Sequence, residues 1–438
     1  MSNARKLVLK LLTRVEGSSS YSNILLDDAL AKSKLDERDK KFASALFYGV
    51  LERKITLDAV IRNYSKRPTE KLNIDVRNIL RMGVYQILYL DSVPDSAAVD
   101  ESVELAKKCK NPSASGFVNG LLRNFIRADK KMPQFTDKGE KLSVEYSCPL
   151  WLVNKWNSEY GEEVLTAMLE TSFGKPPVTV KANTLYHSID EIISVLKEDG
   201  FECEINLYAK DALNIIGGGT IENTRAYAEG LVHVQDLSSQ LCCKAVDPKE
   251  NETVLDICAA PGGKTFTMAE LMNNKGRIFA FDLHESRTKL IQKGAKRLDL
   301  SIVSASVNNG KDYNAKMPLA DKVLCDVPCS GLGVIRRKPE IKYKNPKEFE
   351  RLPSIQYEIL NTSARYVKDG GILVYSTCTL SRAENDNVAD KFLLEHHDFQ
   401  PCPLGNNFPN GYSDYKMTIT PDKYNSDGFF IAKFIKTR

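Results

Sequence analysis

The sequence predicts an α/β domain with a mostly parallel sheet and an antiparallel edge strand, preceded by an all-helical domain and a small α+β module. The 438 residues exceed what one hydrophobic core usually organises. Apolar residues recur at helical spacing in the first third, whereas strand and helix patterns alternate in the second half. We therefore predict a helical domain at 1–131, a module at 141–230 and the α/β domain at 231–438.

The helical domain is predicted from residue 5 to about 127, with Leu7, Leu11 and Val15 as an example of the spacing. Breaks at Gly17–Ser20, Arg67–Thr69 and Asn111–Ser113 fall between six or seven such helices, and Met132–Glu140 is a predicted linker. Residues 1–131 carry 24 Lys and Arg against 16 Asp and Glu. This excess fits a surface that faces a polyanion and equally an ordinary solvated helical surface.

The module and the α/β domain follow from strand and helix patterns in sequence order. The module contains a strand at Val178–Asn183, a helix at Ile189–Asp199 and a strand at Phe201–Ile205. The α/β domain is predicted to contain, in order, helix Leu237–Ala245, strand Thr253–Cys258, helix Lys264–Met272, strand Gly276–Asp282, helix Ser286–Leu298, strand Ile302–Val307, strand Lys322–Asp326, a helical region at Pro346–Val367, strand Gly371–Ser376, helix Asn385–Glu395, and closing strands around Met417–Thr420 and Phe429–Phe434. Strands separated by helices imply right-handed crossovers and parallel pairing, and the closing pair suits an antiparallel edge.

Composition argues against a membrane, disulfide or metal protein. No stretch approaches the roughly 20 apolar residues of a membrane helix, and the N-terminus lacks the apolar block of a signal peptide. The ten cysteines are scattered and contain no CxxC pair, which indicates reduced thiols. We expect a cytoplasmic protein without a metal site.

A glycine-rich turn follows the first strand of the predicted parallel sheet. It lacks the first glycine of a Walker loop and does not match GxGxxG, yet its small residues allow a ligand close to the backbone. Asp282 lies 19 residues after Gly263 at the end of the second strand, where a carboxylate can hold two ribose hydroxyls. Together they predict a site for an adenosine-containing ligand. The candidate residues of the turn are Cys258, Ala259, Ala260, Pro261, Gly262, Gly263 and Lys264.

Two cysteines lie at the ends of neighbouring predicted strands, where open α/β folds bind ligands. Cys329 follows the strand that ends at Asp326, and Cys378 follows the strand that ends at Ser376. Their positions alone do not rank them as nucleophiles.

These motifs resemble a known family. The segment Asp256-Ile-Cys-Ala-Ala-Pro-Gly-Gly-Lys-Thr265 resembles the first motif of the RNA cytosine C5-methyltransferases, and the segments around Cys329 and Cys378 resemble their paired cysteine signature. The N-terminal segments Asp36–Gly49 and Val118–Asn124 resemble the NusB family of RNA-binding antitermination factors. Nearly the whole chain thus resembles the Sun family of bacterial 16S ribosomal RNA cytosine C5-methyltransferases.

The resemblance implies a Rossmann-like class I methyltransferase domain, a NusB-like helical domain and S-adenosylmethionine as cofactor. It implies that the Cys258–Lys264 turn wraps the methionine end of this cofactor and that Asp282 takes its ribose. Many relatives have an Asp near the adenine at the end of the third strand. Asn309 is the best equivalent here, and Asp312 is the alternative.

The resemblance also assigns the cysteines. C5 of cytosine is too weak a nucleophile to attack a sulfonium methyl group until a thiolate adds to C6. By the resemblance Cys378 is that nucleophile and Cys329 assists release of the methylated product. Asp326 is expected to contact the N3/N4 edge of the cytosine or to retain the cofactor, with a capping or loop aspartate as the alternative.

The implied partner is 16S ribosomal RNA, as free RNA or within an assembling small subunit. Two alternatives are a non-catalytic RNA-binding or antitermination factor and a DNA cytosine methyltransferase, in which the Pro-Cys cysteine attacks. The cysteines and the glycine turn speak against the first, and the Thr377-Cys378 element disfavours the second. The run Arg336–Lys344 carries five cations, which indicates either a phosphate clamp or a solvated loop.

Overall fold

The computed structural model describes residues 3–17, 22–65, 67–109, 111–217, 219–405, 408 and 412–437. The chain divides into two compact units. The first comprises Met1–Gly174 and the short segment Ile335–Lys344, and the second comprises Lys175–Val334 and Asn345–Arg438. The domain boundaries derived from the sequence stay predictions.

The first unit is helical throughout its described residues. Its α-helices are α1 (Asn3–Gly17), α2 (Ser22–Ala31), α3 (Glu37–Glu52), α4 (Lys54–Tyr64), α5 (Ile74–Tyr89), α6 (Asp95–Lys107), α7 (Ser115–Arg127), α8 (Lys138–Glu145), α9 (Leu150–Tyr160) and α10 (Glu162–Glu170). One buried apolar cluster joins α1 through α7, with Phe47 and Phe125 fully buried within it. The predicted linker is too long, because Asp137 caps α8 by accepting the Glu140 amide and the helix starts at Lys138.

The second unit begins with a four-stranded antiparallel sheet. Its strands are β1 (Val178–Ala182), β2 (Cys203–Asn206), β3 (Ala209–Ile215) and β4 (Val232–Val234), in the spatial order β2-β3-β1-β4. The helices α11 (Ile189–Glu198) and α12 (Arg225–Ala228) accompany it. The sequence patterns predicted β1, α11 and β2. They missed β3, whose alternation is weak, and β4, whose three residues are too few to show a period.

The larger sheet carries the predicted α/β architecture. Its strands are β5 (Thr253–Asp256), β6 (Arg277–Asp282), β7 (Val303–Val307), β8 (Ala320–Asp326), β9 (Val367–Thr377), β10 (Phe399–Pro401), β11 (Lys416–Ile419) and β12 (Phe429–Lys436). They lie in the order β10-β12-β9-β8-β5-β6-β7, and β11 pairs with β12. Strands β9, β8, β5, β6 and β7 are parallel, whereas β12 runs antiparallel to β9. The predicted fold class is confirmed.

Helices cover both faces of this sheet. They are α13 (Leu237–Val246), α14 (Gly263–Leu271), α15 (Glu285–Arg297), α16 (Leu352–Ala364), α17 (Asp386–Glu395) and the short α18 (Pro421–Tyr424). Successive strand residues belong to different apolar clusters, since Val254 lies in one cluster and Leu255 in the other. A parallel sheet that is buried on both faces leaves the carboxyl ends of its strands as the place for a site.

Two further findings concern the described residues as a whole. None of their helices combines the length and apolar character that crossing a bilayer requires. They contain no group of three or more His, Cys, Asp and Glu side chains arranged to hold a metal ion, and the ten cysteines are free thiols.

Candidate active site

The two candidate cysteines lie side by side. Strands β8 and β9 are parallel neighbours with Asp326 opposite Ser376, so the residues that follow them meet at one edge of the sheet. The Sγ atoms of Cys329 and Cys378 are 3.2 Å apart, and both residues are partly exposed. The hydrogen bond with Cys378 and then burial raise the pKa of Cys329 well above its ordinary value. The two sulfur atoms are therefore within hydrogen-bonding distance of each other, and either thiol can donate.

A buried carboxylate connects the loops that carry the cysteines. Glu384 is 2 % exposed, and its Oε2 accepts hydrogen bonds from the backbone N of Ser330 and from Nε2 of Gln356, both at 2.9 Å. The same Gln356 Nε2 also donates to the carbonyl of Pro328 at 3.0 Å. On the other loop, Thr379 Oγ1 lies 3.4 Å from Glu384 Oε1. Sequence reasoning missed Glu384 and Gln356.

Asp326 lies between the cysteines and the glycine turn. Its Oδ2 accepts from Nζ of Lys264 at 2.8 Å, and its Oδ1 accepts from Oγ of Ser376 at 2.8 Å. Burial lowers the pKa of Lys264, but the adjacent Asp326 carboxylate outweighs burial and raises it above the ordinary value. Lys264 therefore stays protonated, and the pair brings one positive and one negative charge to the site.

The glycine turn adopts a conformation that only glycine accommodates. Gly262 has φ of 114°, and a Cβ there would lie 2.4 Å from Cζ of Phe266. The amide of Gly262 donates to the carbonyl of Ala259 at 2.8 Å, and α14 begins at the next residue. The turn therefore exposes the N-terminal amide groups of α14 and lets a ligand approach the backbone closely.

A cavity of about 220 Å³ opens against this turn. Candidate residues in its wall are Cys258, Ala259, Ala260, Pro261, Gly263, Lys264 and Asp326, whereas Gly262, Asp282, Asn309 and the two cysteines are not among its described lining residues. The wall also contains Asp256 and Gln235, which the sequence did not single out. Burial raises the pKa of Asp256 to about 7 and raises that of Cys258 well above its ordinary value.

Two buried polar atoms of this wall have no hydrogen-bond partner among the described residues. They are Oδ1 of Asp256 and Nε2 of Gln235. The other oxygen of Asp256 accepts from Thr265 Oγ1 at 2.6 Å, and the other amide atom of Gln235 accepts from Thr267 Oγ1 at 2.5 Å. An acceptor and a donor that are buried and unpaired at a cavity indicate a polar ligand.

The remaining cofactor candidates lie at the ends of β6 and β7. Asp282 is 4 % exposed, accepts the His284 amide at 3.1 Å and lies 3.1 Å from Nη1 of Arg287. Nδ2 of Asn309 donates to Oδ2 of Asp312 at 2.8 Å. The two candidates for adenine recognition thus contact each other in one loop, and neither is placed ahead of the other.

The basic run contributes less than its composition indicated. Lys342 is 2 % exposed and donates to the carbonyl of Glu52 at 3.0 Å within the first unit. Tyr343 OH donates to the carbonyl of Leu51 at 2.9 Å, and Oε2 of Glu340 accepts from Ser22 Oγ at 2.7 Å. A phosphate clamp that includes Lys342 is therefore wrong, because its ammonium group is buried against a backbone carbonyl.

A larger cavity, about 900 Å³, lies in the first unit and is lined by residues such as Tyr64, Arg67 and Lys71. It contains none of the candidate catalytic or cofactor-binding residues. Size alone therefore does not locate the site, and the convergence of polar and nucleophilic groups in the second unit does.

Comparisons with known proteins match three stretches of the chain. Residues 243–435 match the family model described as 16S rRNA methyltransferase RsmB/F, and residues 2–127 match the NusB family. Residues 148–222 match the ferredoxin-like domain of RsmF/B-like methyltransferases.

Similar proteins extend over the full length. The chain is 38% identical to the probable ribosomal RNA small subunit methyltransferase B of Bacillus subtilis, with 99% of each chain covered. It is 36% identical to the probable protein of the same description from Synechocystis, with 100% of each covered. Among solved structures, that of PH0851 superposes with a TM-score of 0.84 at 27% identity and covers 100% of this chain and 99% of its own.

Proposed function

The chain belongs to the 16S rRNA methyltransferase RsmB/F family, and from this premise we propose that it methylates C5 of a cytosine in 16S ribosomal RNA through a covalent adduct on Cys378. The observation that carries the proposal is the 3.2 Å separation of two thiols at the ends of adjacent strands. One thiol that attacks the base beside a second thiol that assists release of the product is the arrangement this chemistry needs.

The residues at the glycine turn fit S-adenosylmethionine. The unpaired Oδ1 of Asp256 suits an ammonium group, and the unpaired Nε2 of Gln235 together with the N-terminus of α14 suits a carboxylate. Asp282, at the end of β6, suits the ribose hydroxyls. This cofactor supplies, when bound, a methyl group that a carbon nucleophile can attack.

Cys378 begins the reaction as the thiolate. It adds to C6 of the cytosine, and the ring electrons then make C5 nucleophilic. Because the pKa of Cys329 is raised, its thiol stays protonated and stabilises the neighbouring thiolate by a hydrogen bond. Once C5 carries the methyl group, a solvent water takes the C5 proton, the C5–C6 double bond forms again and the bond between C6 and the Cys378 sulfur breaks. Cys329 assists this release by donating a hydrogen bond to the departing thiolate.

Asp326 and Lys264 act on the cytosine ring while the thiolate adds to it. The Asp326 carboxylate accepts a hydrogen bond from the cytosine amino group at the edge of the ring that carries N3, and the Lys264 ammonium group beside it offsets the negative charge that develops when the thiolate attacks. Lys264 Nζ, 2.8 Å from Asp326 Oδ2, keeps that carboxyl group in place. Asn309 remains the proposed adenine contact, with Asp312 as the alternative.

Tritium release tests this proposal. Unmodified 16S ribosomal RNA that carries tritium at C5 of cytosine loses the label to water when C5 is methylated. We expect Cys378→Ala to release below about one thousandth of the wild-type amount, since it lacks the nucleophile. Cys329→Ala should instead accumulate a protein–RNA adduct that survives denaturation.

Cys203→Ala is the matched control, because Cys203 lies on β2 and should leave the rate unchanged. Bisulfite sequencing of the product locates the cytosine. Full activity in Cys378→Ala contradicts the covalent mechanism. DNA that carries tritium at C5 of cytosine is tested in parallel. Release from DNA alone favours a DNA methyltransferase, and RNA binding without methylation favours a non-catalytic factor.

A further inference from the structure

Asn385 forms hydrogen bonds with the chain on both sides of Cys378. Thr377 Oγ1 donates to Oδ1 of Asn385 at 2.6 Å, and Nδ2 of Asn385 donates to the carbonyl of Thr379 at 2.9 Å. Because a carbonyl only accepts hydrogen bonds, the second contact identifies which side-chain atom of Asn385 is the nitrogen. One amide group therefore holds the residue before the proposed nucleophile and the residue after it.

The main chain of Asn385 is hydrogen-bonded as well. Its N donates to the carbonyl of Ser381 at 3.1 Å, and its carbonyl accepts from the amide of Ala389 at 3.0 Å, at the start of α17. Asn385, Thr377 and Thr379 are all 0 % exposed. Water therefore does not replace either side-chain bond when it is lost, and the buried partner stays unpaired.

These contacts decide where the sulfur of Cys378 lies. The carbonyl of Cys378 accepts from the amide of Gly333 at 3.0 Å, so the main chain is held at three successive residues. Only the Cα–Cβ bond rotates between this main chain and the sulfur atom. The backbone that Asn385 holds thus largely fixes the 3.2 Å separation of the Cys378 and Cys329 sulfur atoms.

We propose that Asn385 is a positioning residue for the methyl transfer, because it keeps the Cys378 sulfur where it can add to C6 of the cytosine. The Thr377-Cys378 element then has a physical role, since the Thr377 hydroxyl is one of the two groups that Asn385 binds. This assignment rests on the proposed function, which takes Cys378 as the nucleophile. Asn385 acts on the attack of the thiolate and leaves the binding of RNA and of the cofactor unchanged.

Steady-state kinetics with unmodified 16S ribosomal RNA test this role. Asn385→Ala removes both side-chain bonds, and we expect it to lower kcat about ten- to thirtyfold, while KM for RNA and for S-adenosylmethionine stay within about twofold of wild type. Thr377→Val removes one hydroxyl group and should lower kcat about fivefold. Thr377→Ser keeps the hydroxyl group and should stay within about twofold of wild type.

Thr224→Val is the matched control. Thr224 is a buried threonine of the second unit whose hydroxyl group donates to the carbonyl of Ile221 at 2.7 Å and accepts from the amide of Tyr227 at 3.0 Å. Its loss should lower the thermal midpoint and leave kcat within about twofold of wild type. Every rate is measured well below the thermal midpoint of the variant, so that loss of folded protein does not lower kcat.

Thiol–disulfide exchange with oxidised glutathione tests the position of the sulfur without RNA. A thiolate of the pair attacks the glutathione disulfide, releases one glutathione thiolate and leaves a mixed disulfide. The neighbouring thiol then loses its proton to solvent, displaces the second glutathione thiolate and closes a Cys329–Cys378 disulfide. Peptide mass spectrometry gives the ratio of internal to mixed disulfide. Because closure requires the two sulfur atoms to stay together, we expect Asn385→Ala to lower this ratio at least about fivefold and Thr224→Val to leave it unchanged.

The assignment is overturned if Asn385→Ala keeps the wild-type kcat or the wild-type disulfide ratio, or if it raises KM for S-adenosylmethionine and leaves kcat unchanged. Equal kcat values for Thr377→Val and Thr377→Ser also overturn it, and these two variants decide if Asn385→Ala does not fold. A wild-type protein that does not methylate the RNA contradicts the proposed function. The disulfide ratio then still decides whether Asn385 fixes the sulfur of Cys378.

Discussion

Residues 326–333 and 335–344 follow one another in the sequence, yet they use their polar groups in different ways. The first stretch carries Asp326 and Cys329 and is tied to Cys378 and Glu384 within the second unit. The second is rich in cations but belongs to the first unit, where Lys342 is buried against a backbone carbonyl. Polar composition therefore does not distinguish a stretch that performs chemistry from a stretch that anchors the chain.

Outside the cysteine pair, the largest effect is expected at Glu384, whose carboxylate connects the two cysteine loops. Glu384→Ala leaves the Ser330 amide and one Gln356 donor unpaired in a buried place, and each lost bond to a charged acceptor costs about 1.5–3 kcal/mol. We expect tritium release to fall at least about 100-fold and the thermal midpoint to fall as well. Glu384→Gln, which retains the shape and one acceptor, should lose less.

The control for Glu384 is Glu358→Ala, because Glu358 is an α16 carboxylate paired with Lys311 at the surface. It should leave the rate within about twofold of wild type. Wild-type turnover in Glu384→Ala would mean that the cysteine loops keep their geometry without this carboxylate. The contrast between residues 326–333 and residues 335–344 would then be unsupported.

Some features of the site follow from the sequence and others do not. The meeting of Cys329 and Cys378 follows from topology, because parallel neighbouring strands end at one edge of the sheet. Glu384 was missed because it lies six residues beyond Cys378, and only the loop conformation brings its carboxylate back to Ser330. Asp256 was missed as a ligand group because its unpaired oxygen is a property of packing.

The burial of Lys342 was unpredictable for a related reason. Its neighbours in the sequence are cations, and a run of cations usually lies in solvent. Lys342 is buried where its ammonium group donates to the carbonyl of Glu52, about 290 residues earlier in the chain. Local pattern predicted most strands and helices but missed β3, β4 and β10, whereas contacts made at such separations depend on the assembled fold.

A smaller effect, visible in the pH dependence of stability, is expected from Lys342→Met. Burial lowers the pKa of Lys342 to about 8 from its ordinary value of 10.5. Between these values the unfolded chain binds more protons than the folded chain, so this lysine makes the free energy of unfolding rise with pH, by up to about 3 kcal/mol across the window. Lys342→Met should remove that rise and stabilise the protein at pH 7 by about 2 kcal/mol.

Chemical denaturation of wild type and variant from pH 7 to pH 10.5 measures this difference. Lys344→Met serves as control because Lys344 is less buried in the same segment. If wild type and Lys342→Met have the same slope, the lysine is not held as a buried ammonium group. Turnover at saturating RNA should be unchanged in either variant.

The smallest effect is expected from Tyr343→Phe, which removes only a hydroxyl group. That hydroxyl donates to Leu51 and lies 3.1 Å from the Glu52 carbonyl, the same oxygen that accepts from Lys342. We expect a loss of about 1 kcal/mol in the free energy of unfolding, and a smaller loss in a Lys342→Met background if the shared acceptor couples the two residues. A double-mutant cycle measures that coupling. Because this segment anchors the chain and takes no part in the reaction, kcat should stay within about twofold of wild type. A tenfold fall in kcat with unchanged stability would mean that residues 335–344 take part in the chemistry, and the contrast with residues 326–333 would be wrong.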